Sequence, residues 1–327
     1  MYKKIITVSF LIIVICSLLM AEKSLERIAN EFAAQGDTLF TEGKYSEAGI
    51  NFENAVKKLN EAVEKDGIPL DNDKNSLWLT NAYNSYAKGS DFENAVRVLD
   101  ERKKLAPTKY DLVKTQAIIY KKYLNNIPKA IEVLKAYEDI KQTFNNEKRI
   151  GSYYLALEDY ENSLIWYKKA YEQKQDSKVI KNIATLYLKL GDNQAAVKAY
   201  EDFIQTNPKE SVLAKTYKNM GALYEELKNG TKAIECYEKS NALKYDNNIT
   251  LLLITKYYDN KYYNKALEKI ALLLENKPNN SDAIYYRAMI KFDRGEKNAA
   301  KADFTLLLND SKYKKVAQGF IESIESE

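Results

Sequence analysis

The sequence predicts an all-α chain, a solenoid of about eight helix–turn–helix units with a C-terminal capping helix. Two observations carry that reading. A small residue recurs along the chain at Ala48, Ala95, Ala130, Ser163, Ala196, Ala233, Ala266 and Ala300, at intervals of 47, 35, 33, 33, 37, 33 and 34 residues. Apolar residues around these positions keep helical spacing, and Gly or Pro interrupts them at the ends. A period near 34 with helical patterning means stacked helix pairs, each burying the apolar side of its neighbour.

The first segment is of a different kind. Lys3 and Lys4 precede an uncharged run, residues 5–21, before Glu22 and Lys23. Basic residues, an apolar stretch and a small residue at Ala21 form the pattern of an export leader. Three alternatives stand: cleavage after residue 21, retention as an N-terminal membrane anchor, and lipidation at Cys16. Each places the rest of the chain outside the cytoplasm, in the periplasm or cell envelope. Residues 22–28 lead into the repeats.

The units are expected at 29–62, 76–109, 110–143, 144–176, 177–210, 214–246, 247–280 and 281–314. The unit at 177–210 shows the logic. Ile180, Ile183, Ala184 and Tyr187 mark one helix face, and Gly191-Asp192 ends that helix. Ala196, Tyr200 and Phe203 mark a second face, which Pro208 stops. Ala184 and Ala196 are small because the two helices cross there. Gly36 and Ala48, Gly151 and Ser163, Gly221 and Ala233, and Ala288 and Ala300 are the corresponding pairs elsewhere. Ala95, Ala130 and Ala266 mark the second helices of the three remaining units. The long first interval places an insertion near Asn60–Asn75, centred on Asp66-Gly67-Ile68-Pro69, and the 37-residue interval adds three residues around Glu210–Leu213. Residues 315–327 keep helical spacing through Val316, Phe320 and Ile324 and form the expected cap.

Composition narrows the function. Lys and Arg number 50 against 46 Asp and Glu, and without residues 1–21 the balance is 48 against 46. That is no nucleic-acid binder's charge. There is no histidine, and the two cysteines are Cys16 and Cys236. Histidine-based nucleophiles and His- or Cys-ligated metals are therefore excluded. Cys236 falls in a helix and is expected to be a buried, inert thiol. No phosphate loop, dinucleotide glycine pattern or nucleophile elbow occurs. Carboxylates such as Glu225-Glu226 and Asp159 with Glu161 are expected near helix ends as solvated groups. No catalytic residue, metal or cofactor is expected. The doublets Tyr257-Tyr258, Tyr262-Tyr263 and Tyr285-Tyr286 cannot place both rings in one core, so one of each should reach a surface.

Taken together, the small, aromatic and Pro positions of residues 177–210 resemble the tetratricopeptide repeat. The resemblance extends over Ala29 to Lys314. It implies a right-handed superhelix whose first helices line a concave groove that holds other proteins or peptides. Transferred to this chain, the groove positions are Lys148, Arg149, Lys178, Lys181, Asn182, Lys215, Lys218 and Asn219, then Leu252, Tyr285, Tyr286 and Met289. The groove should be basic in its middle and apolar toward its C-terminal end. Such a surface suits a peptide with an acidic or carboxylate end and aliphatic side chains. Some members clamp a terminal carboxylate; Lys148, Asn182 and Lys215 match that clamp, while Ser152 and Asn219 depart from it.

The resemblance implies an exported protein-binding scaffold. The leader on a Lys-, Asn- and Tyr-rich chain points to a bacterial source. The alternatives are a non-catalytic subunit of an envelope enzyme or secretion complex, a glycan-active protein using two carboxylates, and an end-to-end self-assembling protein.

Overall fold

A computed structural model describes residues 24–326 of the chain. The leader or anchor expected at residues 5–21 lies outside the described residues. Among the described residues no helix is long and apolar enough to cross a membrane.

The described residues form seventeen helices and no strand. They fall into two compact units, Met1–Gln173 and Lys174–Glu327. The first unit holds α1 (Leu25–Thr41), α2 (Tyr45–Asp66), α3 (Asn72–Lys88), α4 (Phe92–Leu105), α5 (Tyr110–Lys122), α6 (Ile127–Glu138), α7 (Phe144–Ala156) and α8 (Tyr160–Gln173). The second holds α9 (Ser177–Lys189), α10 (Asn193–Gln205), α11 (Glu210–Glu226), α12 (Gly230–Leu243), α13 (Asn247–Asp259), α14 (Tyr263–Asn276), α15 (Ser281–Asp293), α16 (Lys297–Leu306) and α17 (Lys314–Ser326). Within each unit every helix packs on its sequence neighbours, and α13 also touches α15. Each unit is therefore a row of helix hairpins joined in chain order.

The small residues act where the helices cross. Gly36, Gly151 and Gly221 lie against the rings of Phe52, Tyr167 and Tyr237, sixteen residues on. A Cβ at Gly221 would stand 2.6 Å from the Tyr237 ring. Ser163, the one non-alanine at its repeat position, donates its hydroxyl to the Gly151 carbonyl at 2.8 Å. Ala48, Ala95, Ala130, Ala184, Ala196, Ala233, Ala266, Ala288 and Ala300 are all fully buried.

Trp78 and Tyr86, which compete for one register in the sequence, are both buried because they serve different neighbours. Tyr86 turns to α2, where Gly49 makes room for it: a Cβ there would sit 2.7 Å from the ring.

The turns follow one rule. Each of the eight hairpins carries one left-handed residue: Gly43, Ser90, Asn125, Glu158, Gly191, Lys228, Lys261 or Gly295. Five of these are not glycine, so the turn geometry holds without the residue that suits it best. The following helix commonly opens on an Asp or Asn whose side chain accepts from the third residue on, as Asp91 does from Asn94 N and Asp192 from Ala195 N. Such caps contribute about 1 kcal/mol each.

The two insertions are absorbed differently. α2 runs 22 residues to a left-handed Gly67, and a short loop follows. The three residues of the 37-residue interval form an extra first turn, so that α11 is 17 residues long against 13 for α9.

At the C-terminal end α17 covers the last hairpin. Phe320 stacks on Phe304 at 4.7 Å and meets Phe292 edge-on at 5.0 Å. Phe292, Phe304 and Phe320 belong to one apolar cluster with Ile284, Ala288 and Ala317.

Candidate functional site

Helical spacing divides each first helix into a packing face and an outward face. On α9, Val179, Ile180, Ile183 and Ala184 are buried, while Lys178 and Lys181 are exposed and Asn182 is half-buried. On α11, Ala214, Thr216, Met220 and Gly221 are buried, while Lys215 and Lys218 are exposed and Asn219 is half-buried. Lys178, Lys181 and Lys215 make no ion pair among the described residues.

Lys218 is different. Its ammonium lies 3.6 Å from Asp246, the N-cap of α13. Although burial opposes it, Asp246 stays below the usual carboxylate range because the amides of Asn248 and Ile249 and the Lys218 ammonium favour its charged form. Lys218 thus ties two hairpins together and offers less positive charge to a ligand than its neighbours do.

The apolar positions of the same unit are half-buried, and several are occupied from within the chain. Leu252 lies on α13 with one side covered. Tyr285 stacks on Tyr313 at 4.6 Å, and Met289 packs into the cluster shared with α17. Tyr286 meets Tyr258 at 5.3 Å and Tyr285 at 5.5 Å. Tyr258 and Tyr263 both donate to Asp293 Oδ2, at 2.9 and 3.0 Å. Of the doublets, Tyr257 is buried and Tyr258 half-buried, Tyr262 is exposed, and Tyr285 and Tyr286 are each half-buried. The apolar end is a tyrosine ladder whose last and buried member, Tyr313, hydrogen-bonds Asp282 at 2.5 Å.

Lys148 and Arg149 belong to α7 of the first unit. Lys148 sits 5.0 Å over the Phe144 ring, and Arg149 donates to the Tyr110 hydroxyl at 3.4 Å. Ser152 turns its hydroxyl to the Arg149 carbonyl of its own helix at 2.8 Å.

The remaining candidates are structural. Cys236 is buried, and burial pushes its thiol up. Glu225, expected to be solvated, is half-buried and pairs with Lys256 at 2.5 Å. It lies where two hairpins meet, so its partner comes from the next repeat.

A recurring bridge escaped the sequence reading. Glu53, Glu201 and Glu238 each follow the aromatic residue of a second helix. Each accepts a tyrosine hydroxyl from the next hairpin: Tyr86 to Glu53 at 2.6 Å, Tyr224 to Glu201 at 3.2 Å, and Tyr257 to Glu238 at 2.7 Å. Arg97 and Lys269 complete two of the three, at 2.6 Å from Glu53 and Glu238 respectively. Burial, then the nearby carboxylate, raises Tyr224 to about 12. The aromatic–Glu dipeptide was the available signal.

Among the described residues no group of three His, Cys, Asp or Glu side chains could hold a metal ion.

Residues 149–177, 182–210 and 214–247 match the tetratricopeptide repeat family model. Over 302 residues the chain is 25% identical to a TPR repeat-containing protein of Methanocaldococcus jannaschii, covering 87% of this chain and 49% of that protein. Over 115 residues it is 30% identical to the photosystem I assembly protein Ycf3 of Prochlorococcus marinus, covering 35% of this chain and 62% of that one. The chain therefore spans 49% and 62% of the length of these two relatives, less than two thirds of either. Among solved structures, MamA aligns with a TM-score of 0.42 at 17% identity, over 52% of this chain and 91% of its own. YrrB, described as a TPR protein with an unusual peptide-binding site, aligns with a TM-score of 0.43 at 15% identity, over 57% and 95%. Repeats of this family generally serve protein–protein interaction, and scaffold-like relatives point the same way rather than to catalysis. Hairpins in chain order, small residues under aromatic rings and the family-model matches agree that residues 149–177, 182–210 and 214–247 are tetratricopeptide repeats.

Proposed function

We propose that the chain is an adaptor of the cell envelope that binds an anionic peptide segment of a partner protein on the first-helix face of its C-terminal unit. The observation that carries this reading is the row of exposed ammonium groups at Lys178, Lys181 and Lys215, none of them neutralised among the described residues. Like charges on one face raise the encounter rate for an anion and weaken with salt. Asn182 and Asn219, half-buried beside them, supply amide donors for a carboxylate or a peptide carbonyl. Tyr286 and Leu252 supply partly covered apolar surface for aliphatic side chains. The assembly role in the name of the Ycf3 relatives supports an adaptor that brings other proteins together. The envelope setting rests on Lys3, Lys4 and the uncharged run that follows them.

The test uses a fluorescein-labelled hexapeptide of alternating Leu and Glu with a free C-terminal carboxylate. Anisotropy should report saturable binding that weakens as salt rises. The triple variant Lys178→Glu, Lys181→Glu, Lys215→Glu should lose at least tenfold in affinity, with an unchanged circular dichroism spectrum. Equal binding by the triple variant would reject the site.

A further inference from the structure

We infer that Glu147 keeps a proton against the Glu138 carboxylate, and that its release loosens the junction of α6 and α7 in the N-terminal unit. Both side chains are almost fully buried, with 8% and 3% of their surface exposed, and Asn146 between them is completely buried. The Asn146 amide donates from Nδ2 to Glu138 Oε2 at 2.5 Å and to the Leu134 carbonyl at 2.9 Å. That satisfies one oxygen of one carboxyl group. Glu138 Oε1 and Glu147 Oε2 are buried without a hydrogen-bond partner. The Glu138 carboxylate is close enough to Glu147 to disfavour its charged form, so the two buried groups face each other across the α6–α7 junction.

Two buried carboxylates that face each other, each with an unpartnered oxygen, disfavour being charged together. A proton on one converts mutual repulsion into an O–H···O hydrogen bond and supplies a donor where the structure offers none. The groups facing the pair do not replace it. From α8, Gln173 and Lys169 lie close enough to favour the charged form of Glu147, though burial and Glu138 outweigh them. Yet the Lys169 ammonium is engaged over the Trp166 ring at 4.3 Å. From α6, the Tyr137 hydroxyl next to Glu138 donates to the Thr108 carbonyl at 2.9 Å, away from the pair. Burial, and after it the Glu138 charge, pushes Glu147 up to about 7.

The direction follows from linkage. The unfolded chain releases this proton near the ordinary glutamate value of 4.5, whereas the folded chain keeps it to about 7. The stabilisation is complete below pH 4.5, falls as pH rises from there to about 7, and is constant above. A shift of this size changes the local opening equilibrium by about two orders of magnitude. α6 and α7 pack on each other at this junction and through their apolar cluster, so repulsion there is relieved by separating two adjacent hairpins.

Hydrogen exchange on the full chain reads the effect locally. After correction for the intrinsic rate, protection of amides in residues 127–156 should fall at least tenfold between pH 5 and pH 8. Amides in residues 177–205 should show no such fall. In Glu147→Gln the pH dependence at 127–156 should vanish, because the amide side chain supplies the donor permanently. Glu138→Gln provides the same test if the first variant misfolds. A fall that persists in both variants, or none in the wild type, would overturn the inference. So would a wild-type fall that millimolar calcium chloride reverses at fixed pH, since the oxygens would then belong to a cation site.

Discussion

Replacing Gly221 with leucine is expected to destabilise the C-terminal unit by about 3 kcal/mol or more, the upper range for overpacking a core. The first added atom would already lie 2.6 Å from the Tyr237 ring, inside any tolerable contact. That ring cannot swing aside. Tyr237 is 4% exposed, and burial, then the nearby Glu225 carboxylate, raises its hydroxyl to about 12. Moving the ring would part α11 from α12. Gly221→Ala should cost less, about 1–3 kcal/mol, and pairing it with Tyr237→Leu should recover part of the loss. Gly319→Ala is the contrast. It lies in α17 with nothing within 4 Å of the added atom, so alanine's helix propensity should stabilise by up to about 1 kcal/mol. Urea denaturation followed by circular dichroism measures all four. Equal midpoints for Gly221→Leu and Gly319→Ala would mean that the helices do not cross where the small residues lie.

The second large effect belongs to Asp303. Its carboxylate, 4% exposed, accepts from Arg287 Nε at 2.9 Å, from Arg287 Nη2 at 2.8 Å and from Lys291 Nζ at 2.7 Å. It fastens α16 to α15 beneath the apolar cluster that α17 closes. Asp303→Ala removes the one anion and leaves two cations facing each other. Removing one partner of a buried pair costs about 3–5 kcal/mol. Here the side chains of Arg287 and Lys291 keep 31% and 26% of their surface, so both can turn toward water, and about 2–4 kcal/mol is expected. The variant Asp303→Leu, Arg287→Met, Lys291→Met should regain most of that stability, because apolar residues of similar volume replace a buried ion pair without its desolvation cost. Thermal unfolding of the three proteins decides. An Asp303→Ala midpoint equal to wild type would show that the carboxylate is not what joins the helices.

The sequence disclosed the packing more readily than the polar contacts, and the reason is physical. Helix pairs must cross closely, and only Gly, Ala or Ser fits at the crossing. The spacing from Ala48 to Ala300 therefore reports the hairpin repeat directly. Gly36 with Phe52 and Gly151 with Tyr167 show the same constraint from both sides. The hairpin turns were less legible. Glu158, Lys228 and Lys261 adopt left-handed backbone with φ of 57° to 59°, and nothing in those residue types announces it. The packing of the two helices fixes the turn, and the residue accepts the strain.

Polar partners were least legible because they join residues of different repeats. Glu53 reads as an exposed helix acid until Tyr86, 33 residues on, is brought to it. Nothing in the sequence marks Glu138 and Glu147 as buried, yet the packing of α6 and α7 buries both. The outward face of α9 and α11 was assigned from the resemblance, and the buried stripe beside it agrees with helical period. What the period could not show is that Lys218 is tied to Asp246 and that Tyr285 and Met289 pack against the C-terminal elements.

Site-specific photo-crosslinking in the source cells tests the central claim most directly, that partners are held on the first helices of the C-terminal unit. A benzophenone amino acid would replace Lys181 on α9, Lys215 on α11 or Lys198 on α10, all exposed. The account predicts the same partner adduct from positions 181 and 215 and none from 198. Adducts from 198 with none from 181 or 215 would contradict it.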